Sequence, residues 1–299
     1  RAFKGSLVDM RPDDLSAQMV KALMAKVPQV RADDVEDLMM GCGQPAGEQG
    51  FNIARVVAIL AGLDNVPGVT VNRYCSSSLQ TIRMAAHAIR SGEGDCFIAA
   101  GVECVSRYGA GASDSAPNAV FADAGKRTKL RAEGGQPSWA PQAGLPDIYI
   151  AMGQTAENVR EVEGVTRREM DEFGARSQQL AVAHQKNGLN PEIMGLGPIE
   201  AIRQALGRAK MTMKDIDLVE INEAFAAQVI PSAKHLDIPM DKLNIHGGAI
   251  ALGHPFGMTG ARIMATLING LQHEDKTFGV ESMCVGGGQG MAMIIERLS

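Results

Sequence analysis

Four short segments hold side chains able to do covalent or acid–base chemistry. Cys75 lies where the β-branched run Val69-Thr70-Val71 gives way, through Asn72-Arg73-Tyr74, to a helical pattern opening at Ser76. A thiol at a helix start faces unpaired N–H groups and the positive end of the macrodipole. Both favour thiolate over thiol, and the same N–H groups can hold a developing oxyanion. The bland alternative is a small buried core thiol, and position alone leaves that open. His254 stands between Gly253 and Pro255, with Gly257 and Gly260 following. A satisfied structural histidine is the common alternative, and it is how His246 reads. Cys284 follows the apolar run Phe278–Met283 and opens Cys284-Val285-Gly286-Gly287-Gly288. Glycines after a strand let a substrate approach backbone amides closely, but their spacing is not a dinucleotide fingerprint. Asn222-Glu223-Ala224-Phe225 also follows a strand-like run, and by itself reads as a turn with a helix cap.

The elements that must position these groups alternate in type. Helical spacing is expected over Asp13–Val27, Asn52–Leu63 (closed by Gly62) and Ser76–Ile89, and strands over Asp34–Gly41, Val69–Val71 and Cys96–Gly101. That alternation predicts an α/β architecture with largely parallel pairing. From Tyr108 to Asp147 the periodicity fades into Gly, Ala, Ser, Pro and charges, which reads as an irregular functional or interface stretch. Helical patterns return at Met152–Val162 and Thr166–Lys186, the second opened by a Thr166/Glu169 capping box. From residue 198 the first arrangement repeats: Asp34-Val35-Glu36 is echoed by Asp215-Ile216-Asp217, and Cys96–Gly101 by Phe278–Met283. The repeat implies two similar halves about a pseudo-two-fold axis, with the helix start at His254 matching the one at Cys75.

Composition narrows the classes. The chain has 299 residues, 45% of them apolar and 21% charged, with a formal net charge of −5. That balance gives no basic field for nucleic acid or an anionic membrane. Lys126, Arg127, Lys129 and Arg131 form the densest basic cluster, in what reads as a loop; a solvated surface is the ordinary reading, a contact with a phosphate-bearing ligand the other. No apolar stretch is long enough to span a bilayer, and the first residues lack signal-peptide architecture. Five cysteines (Cys42, Cys75, Cys96, Cys104, Cys284) show no metal spacing and fit a reducing cytoplasm.

Together, Tyr74-Cys75-Ser76-Ser77-Ser78, Asn222-Glu223-Ala224-Phe225, Gly253-His254-Pro255 and Cys284-Val285-Gly286-Gly287-Gly288 resemble the thiolases in order and spacing, as do Pro146–Gly153 and Gly247–Gly260. The resemblance covers nearly the whole chain. It implies duplicated α/β halves in a layered αβαβα arrangement with an inserted loop domain: 1–108, 109–190 and 191–299. It also implies ping-pong acyl transfer between 3-oxoacyl-CoA and coenzyme A. Cys75 would be the nucleophile, His254 its activator and Cys284 the acid and base. The ring of His254 with a water held by Asn222 would form one oxyanion hole, and the backbone N–H groups of Cys75 and Gly286 the other. Ala151, Met152 and Phe225 would touch substrate. Alanine at 151, where short-chain biosynthetic thiolases commonly carry histidine, looks more like a degradative enzyme of fatty-acid β-oxidation. No metal or redox cofactor is implied, and the assembly would be a homodimer or homotetramer, with inter-subunit contacts in Tyr108–Asp147.

The chain is shorter than the family pattern. An opening strand before Arg1 has no counterpart, and Asn187-Gly188-Leu189-Asn190 runs straight into Pro191-Glu192-Ile193, where thiolases carry a long segment with much of the coenzyme A surface. A stretch of chain is therefore expected to be missing near 189–191. Three rivals fit less well. A ketoacyl-synthase-like condensing enzyme lacks a second cysteine before a glycine run. Against a dead acyl-CoA-binding or assembly protein stand the intact Cys75, His254 and Cys284, while the missing segment speaks for it. A nucleotide-dependent oxidoreductase lacks its phosphate loop.

Overall fold

A computed structural model describes Leu7 and residues 9–105, 117–134, 139, 144–183 and 196–298. The chain divides into two compact units, residues 1–115 with 255–261, and residues 116–254 with 262–299.

The first unit is built on a three-stranded parallel sheet. Helix α1 (Pro12–Lys26) starts with proline in its first turn beside Asp13 and Asp14, which suit the positive helix end. Strand β1 (Asp37–Gly41) is central, pairing with β2 (Gly68–Val71) on one side and β3 (Phe97–Gly101) on the other. Between them α2 (Ile53–Ala61) is capped by the Asn52 side chain and closed by Gly62 at φ 83°, and α3 (Ser77–Ser91) follows β2. Leu38, Met40, Ile53, Val57 and Ile98 form the core. All these elements lie where the hydrophobic pattern expects them.

The second unit opens with α4 (Ala122–Ala132), α5 (Met152–Val162), α6 (Arg167–Ala183) and α7 (Gly197–Ala209). The expected capping box of α6 is present: the Thr166 N–H donates to Glu169, and the Glu169 N–H donates to the Thr166 hydroxyl. Strand β4 (Leu218–Ile221) leads to α8 (Ala226–His235), the short α9 (Ala249–Leu252) and, from Arg262 on, the rest of α10 (Phe256–His273). Strand β5 (Phe278–Val285) pairs parallel with β4 and antiparallel with β6 (Gln289–Glu296). Ile202, Ile216, Val219, Ile221, Val229, Leu243 and Val280 fill this core.

Two differences from the sequence reading stand out. Helix α4 lies inside the stretch expected to be irregular, and the basic cluster sits on it rather than on a loop. Its sequence has no apolar stripe, and good helix formers with the Lys126–Asp123 and Lys129–Glu133 ion pairs take the stripe's place. Strand β6 adds an antiparallel hairpin partner to a sheet expected to be largely parallel. The remainder of Tyr108–Asp147 is only partly described, and the junction at 189–191 lies outside the described residues.

Candidate active site

In the first unit, the path from β2 to α3 is tightly tied. The Asn72 side chain accepts the Tyr74 N–H at 2.9 Å, and the Ser77 hydroxyl accepts the Arg73 N–H at 2.9 Å while donating to the Tyr74 carbonyl at 2.6 Å. Tyr74 is thereby held at φ 42°, a left-handed conformation that costs a non-glycine residue energy and clusters at functional positions. The next residue is Cys75, in a single 3-10 turn before α3 and only 4% exposed. The thiol sits at a helix start, where its sequence neighbours place it.

Cys42 in the same unit is a different kind of thiol. Burial first, then the charge of Glu103, pushes it well above the ordinary range, so it stays protonated and inert. Glu103 is a partly buried hub that sequence reasoning passed over. Its carboxylate accepts the N–H groups of Gly43 (2.6 Å), Gln44 (3.1 Å) and Gly257 (2.8 Å) and the side-chain amide of Gln49 (2.6 Å). The signal available was a charged residue two positions after the apolar strand β3.

In the second unit, β4 delivers Asn222 and Glu223, both fully or nearly buried. The Asn222 N–H continues the ladder by donating to Ser282 at 2.9 Å. Glu223 is more than a turn residue. Its carboxylate accepts the Ser177 hydroxyl at 2.5 Å, the Asn244 amide at 3.1 Å and the Ile250 N–H at 3.0 Å. It thus fastens α6 and the segment 244–250 that leads to His254. A Cβ at Gly248 would fall 2.2 Å from this carboxylate, so glycine is required there by close approach. Gly253, at φ 100° and ψ 162°, then turns the chain into His254 through a conformation open to glycine. Burial, reinforced by the positive charge of Arg262, lowers the imidazole to about 3 and leaves His254 neutral at ordinary pH. His246 is 7% exposed and packs under Gly270 of α10, in keeping with a structural role.

Cys284 ends β5 at 2% exposure, packed with Ala224, Met152 and Phe225. The same cysteine lines a cavity of about 590 Å3, together with Met152, Val285, Gly287 and Gly288. Gly286 is buried between two of these lining residues. Cys284, Met152 and Phe225 are therefore brought together, and Gly286 lies beside them. Ala151 is exposed at the cap of α5 and lines no part of the cavity, and neither Asn222 nor His254 is among its lining residues. No cluster of three or more His, Cys, Asp or Glu side chains suited to a metal ion occurs among the described residues. No helix among them is long and apolar enough to cross a membrane.

Known proteins share this arrangement of segments. Residues 1–197 match the family model of the thiolase N-terminal domain, and residues 176–297 that of the thiolase C-terminal domain. The chain is 35% identical over 392 residues to a 3-ketoacyl-CoA thiolase of Shewanella loihica, covering 99% of this chain and 96% of the relative. It is 33% identical over 393 residues to a 3-ketoacyl-CoA thiolase of Shewanella frigidimarina (100% and 96%). With a 3-ketoacyl-CoA thiolase of Bacillus subtilis it shares 32% over 395 residues (99% and 96%). The chain belongs to the thiolase family, and with that membership come its α/β fold class and its enzyme class, acyltransferase. These comparisons run to 392 residues or more against the 299 of this chain, so they bridge stretches of the relatives that have no counterpart here.

Proposed function

We propose that this chain is a 3-oxoacyl-CoA thiolase whose acyl group is carried by Cys75. Cys75 gives its proton to the neutral imidazole of His254, and its sulfur attacks the 3-oxo carbon. The bond between C2 and C3 breaks, its electron pair passes to C2, and the Cys284 thiol protonates that carbon to release acetyl-CoA. Coenzyme A then gives its thiol proton to the Cys284 thiolate and attacks the acyl–Cys75 carbonyl. Cys75 leaves and takes back the proton from His254. A thioester intermediate suits this sequence because thiolate is both a good nucleophile and a good leaving group.

The developing oxyanions would be met by the His254 ring with a water held by Asn222, and by the Cys75 and Gly286 N–H groups. Donors of this kind each contribute about 3 kcal/mol to the barrier. Met152 and Phe225 would contact substrate beside Cys284. Coenzyme A is a substrate in this scheme, which needs no other group. A homodimer or homotetramer in the cytoplasm, acting in fatty-acid degradation, belongs to the same reading, as does the division at 1–108, 109–190 and 191–299.

The observation that carries the proposal is the place of Cys284: buried in a strand end, yet in the wall of a substrate-sized cavity. The test is to mix the protein with acetoacetyl-CoA and free coenzyme A and follow loss of the enolate absorbance. The expected result is turnover that falls on the order of a thousandfold or more in Cys75→Ser. Undiminished activity in that variant overturns the scheme. Turnover confined to acetoacetyl-CoA across a series of chain lengths would overturn the degradative reading.

A further inference from the structure

The basic cluster on α4 divides into two faces. Lys126 and Lys129 are exposed and pair with carboxylates of their own helix, Asp123 at 2.9 Å and Glu133 at 3.9 Å. Arg127 and Arg131, one turn apart, are half-buried and line the 590 Å3 cavity. Neither forms an ion pair among the described residues. The Arg127 guanidinium donates from Nη2 to the Leu145 carbonyl at 2.8 Å, and Arg131 donates from Nε to the Asn158 side-chain oxygen at 3.1 Å. Both acceptors are neutral, and each guanidinium has five N–H donors. Two like charges one helical turn apart repel; the charge of Asp123 reaches Arg127 without an ion pair, and the structure places the two cations on one wall. Asp147 is the acidic group on the cavity lining; its carboxylate accepts the Tyr149 N–H at 3.2 Å and makes no ion pair with either arginine.

The rest of the wall is largely apolar, with Ile148, Met152, Val159 and Val162 in the same lining as Cys284 and the arginines. We propose that this cavity receives an acyl group that ends in a carboxylate, held by Arg127 and Arg131. The inference rests on the thiolase reading and names its substrate class: 3-oxo-dicarboxylic acyl-CoA esters of medium length.

The alternative source of negative charge is coenzyme A itself, through its phosphates. Spacing favours the acyl end. Asn158, which Arg131 touches, lies six residues along α5 from Met152, which packs against Cys284. At the helical rise that is about 9 Å. That span along α5 matches a medium acyl chain and is shorter than an extended pantetheine arm between sulfur and first phosphate.

The experiment compares two 3-oxoacyl-CoA substrates of equal length, one ending in methyl and one in carboxylate, in the unaltered protein, Arg131→Gln and Arg127→Gln/Arg131→Gln. Direct binding of the matching saturated acyl-CoA pair is read by calorimetry in parallel. The expected result is a kcat/KM ratio favouring the carboxylate-ended substrate about tenfold or more, collapsing toward unity in the double variant. Equal kcat/KM and equal binding of both esters in the unaltered protein overturn the proposal. An unchanged ratio with a raised KM for coenzyme A in the variants overturns it too, and assigns the arginines to phosphate. If neither ester is turned over but the carboxylate-ended one binds at least tenfold tighter, and the double variant loses this, the cavity assignment stands and the thiolase reading fails.

Discussion

Glu220 of β4 and Glu281 of β5 are register partners across the parallel strand pair, and both are buried. The head of Arg262, from α10, is buried with them, and neither its Nε and Nη2 nor the two Glu281 oxygens have a hydrogen-bond partner among the described residues. Burial, with the charge of Glu223 added and those of Arg262 and Arg176 opposing, pushes Glu220 up to about 8. Burial and the neighbouring Glu220 push Glu281 well above the carboxylate range, against the pull of Arg262. One guanidinium cannot offset two buried carboxylates, so the pair holds a proton at neutral pH.

A raised folded pKa gives stability that is complete below the unfolded value near 4.5 and is lost as pH rises through about 8. The melting temperature is therefore expected to fall between pH 6 and pH 9. In Glu281→Gln the fall should be smaller, by roughly 3 °C or more at pH 9. Parallel Tm–pH profiles of the two proteins would remove this assignment.

Glu223→Ala strips three donors of one buried acceptor: the Ser177 hydroxyl, the Asn244 amide and the Ile250 N–H. We expect a loss of about 3 kcal/mol in urea unfolding. A drop in kcat of tenfold or more should accompany it, because the segment leading to His254 loses its fastening. Glu223→Gln, which keeps the acceptor oxygen facing Asn244, should recover part of both. A stable and fully active Glu223→Ala would show that the hub positions nothing.

His254 is lowered by burial first and by Arg262 second, from 6.5 to about 3. A depressed pKa means that the unfolded chain takes up the proton first. The contribution to stability is then complete above about 6.5 and is lost as pH falls toward 3. Replacing His254 with Asn should lessen the acid-side loss of Tm across that window. The acid limb of kcat in the unaltered protein should also lie well below pH 6, as a rate profile would show. An acid limb centred at the ordinary imidazole value would contradict the buried, neutral ring.

Much of this was legible in the chain. Cys75 at a helix start, Gly253 before His254 and the glycine run after Cys284 are local features, fixed by residues within a few positions. So are Asn52 and Gly62 at the ends of α2. What escaped was non-local. Glu103 and Glu223 gain their meaning from donors 60 or 154 positions away, as with Gly43 and Gly257, or 46 positions away, as with Ser177. Helix α4 escaped because its stability comes from ion pairs and helix formers rather than from an apolar stripe. The division of its arginines from its lysines becomes visible only when the cavity is.

The central claim is that the acyl group rides on one sulfur. Incubating the protein with acetoacetyl-CoA in the absence of added coenzyme A, quenching in acid and mapping the peptides by mass tests it most directly. An acetyl thioester on the Cys75 peptide, released as acetyl-CoA when coenzyme A is supplied and absent in Cys75→Ser, is the predicted result. Acetyl found only on Cys284 or another residue, or no acyl-protein at all while turnover proceeds, would contradict the account.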